Sequence, residues 1–175
     1  MTRSVNAANL LTLLRLVLVP FVILAILDGR HTLALALFAG AAFTDFLDGA
    51  VARRFHLATP AGAWLDPVAD KCLLSGVFLA LAGAGTVPWW LVVIIFGRDF
   101  YILAGAATVM LLTPVRKFPP SIWGKASTLV QAVTAVVCMA VSAGHARVML
   151  WPCAAITVWS GIHYTWRTLR VVRQH

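Results

Sequence analysis

Asp45, Asp48, Asp66 and Asp70 lie in the stretch DFLDGAVARRFHLATPAGAWLDPVAD and form the pattern D-x2-D-G-x2-A-R-x8-G-x3-D-x3-D. They are four of the six acidic residues of the chain, which has no glutamate. Spacings of three and four place the members of each pair on one helix face. The intervening loop is short enough for the two faces to meet. Four carboxylates converging in an apolar setting repel one another unless protons or cations intervene. An all-oxygen donor set suits Mg2+, Mn2+ or Ca2+ rather than zinc. Gly49 and Ala52 leave room for a bulky ligand, and Arg53, one turn after Gly49, is placed to reach a phosphate. Gly62 permits close approach in the loop, and Pro67 suits the first turn of a third helix. Carboxylates, arginine and metal together describe phosphoryl-type transfer, where catalysis is largely positioning plus charge neutralisation.

The elements that must position this cluster are apolar. Of 175 residues 61% are hydrophobic and 11% charged, against about 45–50% and about 25% in a soluble domain. The expected fold is an all-α integral membrane protein, a six-transmembrane-helix bundle forming one domain over residues 1–175. The six apolar segments run from Asn9 to Leu27, Thr32 to Arg54, Trp64 to Ala84, Pro88 to Leu112, Ser121 to Ala143 and Arg147 to Leu169. Each is near the length of about 20 residues that a spanning helix needs. Asp28-Gly29, Thr59-Pro60, Gly83–Gly85, Pro119-Pro120 and Gly144 mark the turns. Short connections predict antiparallel neighbours, and no internal repeat is present. The first apolar run has no small-residue cleavage site and continues into a full span, so no cleavable signal is expected.

Loop charges predict orientation. Arg3, Arg53, Arg54, Arg116, Lys117, Arg167, Arg170 and Arg173 fall on one side, and Arg30 and Arg147 on the other. The positive-inside rule then places both termini and the aspartates at the cytoplasmic face of a multi-pass cell (inner) membrane protein. The formal charge of +8 comes without a basic tract interleaved with aromatics. Anionic lipids and phosphorylated substrates are therefore the expected partners, and nucleic acid is not. Cys72, Cys138 and Cys153 lack ligand spacing and are expected in the core. The scattered His31, His56, His145, His163 and His175 are expected near helix ends, not on a metal. Trp89, Trp90, Trp151, Trp159 and Trp166 suit an aromatic belt. Gly76, Ala80, Gly105 and Ala106 suit close helix contact.

Two other readings compete with the transferase chemistry. A single intramembrane aspartate is often only a partner for a cation, and Lys71, Arg98 or Lys125 could serve. A carboxylate-based cation or proton transporter also needs intramembrane carboxylates, but it places them near the midplane on interrupted helices. A fixed positive charge such as Arg53 gains a cation pathway nothing.

The aspartate pattern resembles the signature of the CDP-alcohol phosphotransferase family, with Asp45, Asp48, Gly49, Ala52, Arg53, Gly62, Asp66 and Asp70 at its eight fixed positions. The segment Asn9-Leu-Leu-Thr12-Leu-Leu-Arg15 is similar to the first helix of bacterial phosphatidylglycerophosphate synthases. The resemblance implies transfer of a phosphatidyl or similar group from a CDP-linked donor such as CDP-diacylglycerol to an alcohol, with release of CMP. It implies two divalent ions, Mg2+ or Mn2+, on Asp45, Asp48, Asp66 and Asp70, with Asp70 also the general base. It further implies a CDP site lined by Thr12, Gly49, Ala52 and Arg53, and a homodimer. A carboxylate crowded by others accepts a proton more readily, which suits the base role.

The acceptor stays open between glycerol 3-phosphate and phosphatidylglycerol, with inositol phosphate a third choice. Arg98-Asp99 and Gly124-Lys125-x-Ser127-Thr128-x2-Gln131 are polar clusters in apolar runs. Arg98 and Lys125 are expected to clamp the acceptor phosphate, with Arg116 and Lys117 drawing it in; the other reading is a structural pair, Arg98 with Asp99 or Lys125 with an aspartate. The Gly-Lys-x-x-Thr-x2-Gln stretch resembles phosphatidylglycerophosphate synthases, whereas Arg-Asp in place of Arg-Glu and the Pro120-Ser121 step resemble cardiolipin synthases.

Overall fold

The computed structural model describes the backbone of residues 2–55, 60–112, 121–141 and 143–173, and the side chains of residues 14–44, 69–109, 111, 121–141, 146–168 and 170. The described elements are six α-helices: α1 (Thr2–Leu27), α2 (His31–Phe55), α3 (Pro60–Gly83), α4 (Trp89–Leu112), α5 (Ile122–Ala140) and α6 (Ala143–Arg173). No strand occurs among the described residues. Several bounds differ from those read off the apolar runs. α1 begins at Thr2 rather than Asn9, α3 at Pro60 rather than Trp64, and α6 takes in Gly144, expected as a turn. Apolarity marks where a helix meets an apolar environment, whereas the i→i−4 ladder runs on through polar residues. Pro60 opens α3, a position where its missing N–H costs nothing, so Pro67 falls in the second turn rather than the first.

α1 and α3 end alike. Gly29 has φ 72° and Gly85 has φ 75°, conformations that a side chain disfavours. The Arg30 N–H donates to the Ala25 carbonyl and the Thr86 N–H to the Leu81 carbonyl, each closing a Schellman-type cap.

The contacts gather into two units, Met1–Thr86 and Val87–His175. In the first unit α1 packs against both α2 and α3. Arg15 meets Asp70, Ile23 meets Gly76 and Leu27 meets Gly83, so α1 and α3 run in the same direction. The expected sequential antiparallel packing is thus only part of the arrangement: among the described residues α3 packs chiefly on α1. Gly76 makes this approach possible, since a Cβ there would stand 2.9 Å from Ile23 Cδ1 and 3.3 Å from Val19 Cγ1. In the second unit α6 packs against both α4 and α5. It runs parallel to α4 (Trp90 on Trp151, Arg98 on Ser160) and antiparallel to α5 (Ser121 on His163, Ser127 on Thr157).

The described core is mostly apolar, with Val22, Ile26, Phe78, Leu81 and Leu91 among its members, but large apolar side chains also face outward. Val93 (67% exposed), Phe100 (73%) and Leu103 (69%) belong to an outward apolar stripe on α4, with Trp89 and Phe96. Arg15, Ser127, Gln131, Thr134, Thr157 and Ser160 are buried. Gln131 Nε2 donates to Ser127 Oγ and Thr157 Oγ1, so these buried polar groups satisfy one another between α5 and α6. Trp89–Val109 and Ile122–Ala140 are each long and apolar enough to cross a membrane. Cys138 and Cys153 are buried as expected, but Cys72 is exposed on α3.

Candidate active site

The aspartate motif is carried by two helices that share a neighbour. Positions 45, 48, 49, 52 and 53 fall on α2, and 66 and 70 on α3; α1 packs against both. Asp70 is the member of the motif whose side chain is described. Those of Thr12, Asp45, Asp48, Gly49, Ala52, Arg53 and Asp66 lie outside the described residues, as does Arg116 altogether. Asp70 accepts a hydrogen bond from Arg15 Nη1 on its Oδ1 at 2.9 Å. The two ends of this ion pair differ in environment: the Arg15 side chain is 1% exposed and that of Asp70 48%. The guanidinium is thus the sunken end and the carboxylate the accessible one. An accessible carboxylate oxygen is a donor type that hard cations take, so the exposure of Asp70 is compatible with the expected donor set. Among the described residues no group of three or more His, Cys, Asp or Glu is gathered.

Arg15, which was not named among the cations anticipated as partners for a lone aspartate, pairs with Asp70. Sequence reasoning missed Arg15. Its signal was present: it is the one charged residue in the run LLTLLRLVLVPFVILAIL, and an ionisable group in such a run is a functional candidate by default.

The second unit holds the residues expected to meet the acceptor. Arg98 Nη1 donates to Asp99 Oδ1 at 2.7 Å, the pairing that was the competing reading of this residue. Nη2 donates to Ser160 Oγ at 2.6 Å. Arg98 Nε is buried without a hydrogen-bond partner among the described residues. Gly124 leaves room for this guanidinium, since a Cβ there would stand 3.4 Å from Nη2. Arg98 and the Gly124-Lys125 segment are therefore neighbours, as a shared role requires, and Lys125 is exposed. Ser160, which sequence reasoning did not single out, completes the arrangement from α6. His163 is not at a helix end but inside α6, 3.4 Å from Ser121 Oγ and beside Trp123 and Trp166. Beside Arg98 an open groove of about 470 Å³ runs between α4 and α6, lined by Val93, Gly97, Tyr101, Gly161 and Thr165 among others.

A family model described as CDP-alcohol phosphatidyltransferase matches residues 5–159, a span that contains Arg15, all four aspartates, Arg98 and Lys125. The chain belongs to this family. A CDP-alcohol phosphatidyltransferase is a phosphotransferase for substituted phosphate groups, so the transporter reading is set aside. The chain is 39% identical over 180 residues to a protein of Mycobacterium tuberculosis named probable phosphatidylglycerophosphate synthase; the match covers 96% of this chain and 84% of that one. A Pseudomonas fluorescens protein named CDP-diacylglycerol–glycerol-3-phosphate 3-phosphatidyltransferase is 34% identical over 176 residues, 91% of this chain and 88% of its own. A probable cardiolipin synthase (CMP-forming) of Drosophila melanogaster is 41% identical over 103 residues, 58% of this chain and 32% of its own.

Proposed function

We propose that this phosphatidyltransferase is a phosphatidylglycerophosphate synthase, which moves the phosphatidyl group of CDP-diacylglycerol onto the free hydroxyl of glycerol 3-phosphate. The observation that carries the reading is the near end-to-end match to two bacterial proteins, one named probable phosphatidylglycerophosphate synthase and the other CDP-diacylglycerol–glycerol-3-phosphate 3-phosphatidyltransferase. In the reaction the acceptor hydroxyl gives its proton to Asp70 and its oxygen forms a bond to the phosphatidyl phosphorus. The bond from that phosphorus to CMP breaks, and CMP leaves with the electron pair. Arg15 holds the Asp70 carboxylate, and the CDP portion lies along positions 49, 52 and 53 of α2, with Thr12 of α1 beside it. Two divalent ions, Mg2+ or Mn2+, held by Asp45, Asp48, Asp66 and Asp70, supply positive charge to the pyrophosphate when bound. Arg98 and Lys125 receive the acceptor phosphate, and Arg116 lies on its approach.

The enzyme is proposed to cross the cell membrane six times, with both termini and the site on the cytoplasmic side, and to act as a homodimer. The outward apolar stripe of α4 and the polar interior between α5 and α6 favour a lipid surround. The loop charges favour the orientation.

A second reading, cardiolipin synthase with phosphatidylglycerol as acceptor, is favoured by one observation. Arg98 is already paired with Asp99 and stands beside an apolar groove, which suits an acceptor of lower charge that carries acyl chains. The deciding experiment supplies membranes expressing this chain with CDP-diacylglycerol, Mn2+ and either labelled glycerol 3-phosphate or labelled phosphatidylglycerol. Label in phosphatidylglycerophosphate, absent from the Asp70→Asn control, is the expected result. Label in cardiolipin instead replaces the first reading with the second.

A further inference from the structure

We propose that Arg15 is a positioning residue of the transfer reaction, acting through Asp70 to set where the acceptor's proton is taken. The proposal rests on the reading of Asp70 as the base. A guanidinium buried to 1% exposure is costly unless it is paired, so the partner's place is as narrowly set as the arginine's own. The arginine is itself fixed. α1 lies against α3 from the Arg15–Asp70 pair, past the close approach at Gly76, to Leu27 on Gly83, and both helices end in glycine caps. α1 is also the helix that packs on α2, so one helix bearing one buried charge touches both carriers of the aspartate motif. The carboxylate end of the pair remains 48% exposed, open to whatever enters the site. The described contact is Arg15 Nη1 to Asp70 Oδ1 at 2.9 Å, and a planar guanidinium donates in a set direction, which a lysine ammonium does not. Misplacing a reacting group by about 1 Å can cost about 100-fold in rate, so the direction set by Arg15 is reflected chiefly in turnover.

The test uses the purified full chain in lipid nanodiscs, following CMP release from CDP-diacylglycerol, which is common to both acceptors. Tm is measured in parallel for Arg15→Met, Arg15→Lys, Asp70→Asn and Arg15→Met/Asp70→Asn. Arg15→Met is expected to lower kcat by about 100-fold with KM for CDP-diacylglycerol within about threefold, and Arg15→Lys to recover about tenfold of that loss. The fall in Tm caused by Arg15→Met is expected to be smaller in the Asp70→Asn background than in the wild type, because the two partners are coupled. Additive Tm changes, or a folded Arg15→Met with kcat within about threefold of wild type, overturn the proposal. So does a loss of activity that follows only the folded fraction and is not rescued by lysine. If Arg15→Met does not fold, Arg15→Lys decides: kcat lower by about tenfold at unchanged KM supports positioning, and unchanged kcat overturns it. Asp70→Asn with full turnover removes the base and the proposal together. An inactive Asp70→Asn beside a fully active Arg15→Met removes the positioning role alone.

Discussion

Each unit of the molecule is three helices with one of them central, α1 in the first and α6 in the second, and each secures an arginine against an aspartate. The two pairs are built differently. Arg15 reaches across 55 positions of sequence from one helix to another, whereas Arg98 and Asp99 are adjacent on α4. In the first pair the cation is sealed and the carboxylate is open, at 1% and 48% exposure. In the second both ends are mostly enclosed, at 13% and 25%, and Ser160 takes a further guanidinium hydrogen. Within one protein the same ion pair therefore presents an accessible carboxylate in one place. In the other it presents a compensated cation beside a groove. The difference lies in which end reaches solvent, and the residue types alone do not reveal it.

The largest expected contrast comes from neutralising each carboxylate. Asp70→Asn is expected to lower kcat by about 1,000-fold or more while donor binding persists. Asp99→Asn is expected to leave kcat within about tenfold and to act mainly on the acceptor. Initial rates with both substrates varied check this, and equal losses of kcat would erase the functional distinction between the two pairs. A smaller effect sharpens the binding role of the second unit. Lys125, exposed next to the glycine that accommodates Arg98, is expected on substitution to alanine to raise the acceptor KM by about tenfold at nearly constant kcat. An unchanged acceptor KM returns Lys125 to the surface. The smallest effects compare packing. Gly76→Ala pushes a methyl against Ile23 and Val19 and is expected to cost about 1 kcal/mol. Gly97→Ala meets nothing within 4 Å and is expected to be neutral or to stabilise α4 by about 0.5 kcal/mol. Thermal unfolding in one detergent or nanodisc preparation reads both, and equal losses would mean that α1 and α3 are not closely opposed at Gly76.

What the sequence determined by itself was the class of chemistry. The spacing of Asp45, Asp48, Asp66 and Asp70 with Gly49 and Arg53 specified phosphoryl-type transfer, and the family match includes every one of those positions. Apolar runs located six helices, because the length and apolarity of a run are local properties. They placed the starts of α1, α3 and α6 too late, since backbone hydrogen bonding does not stop where apolarity does. Tertiary structure decided what each charge meets. Nothing in the order of residues singles out Arg15 as a partner for Asp70. The choice follows from α1 and α3 lying parallel and close enough at Gly76 to bring position 15 to position 70. Ser160 joins Arg98 for the same reason, across 62 positions of chain. A local pattern can specify which groups are present; which of them is sealed, paired or open depends on which helices come together.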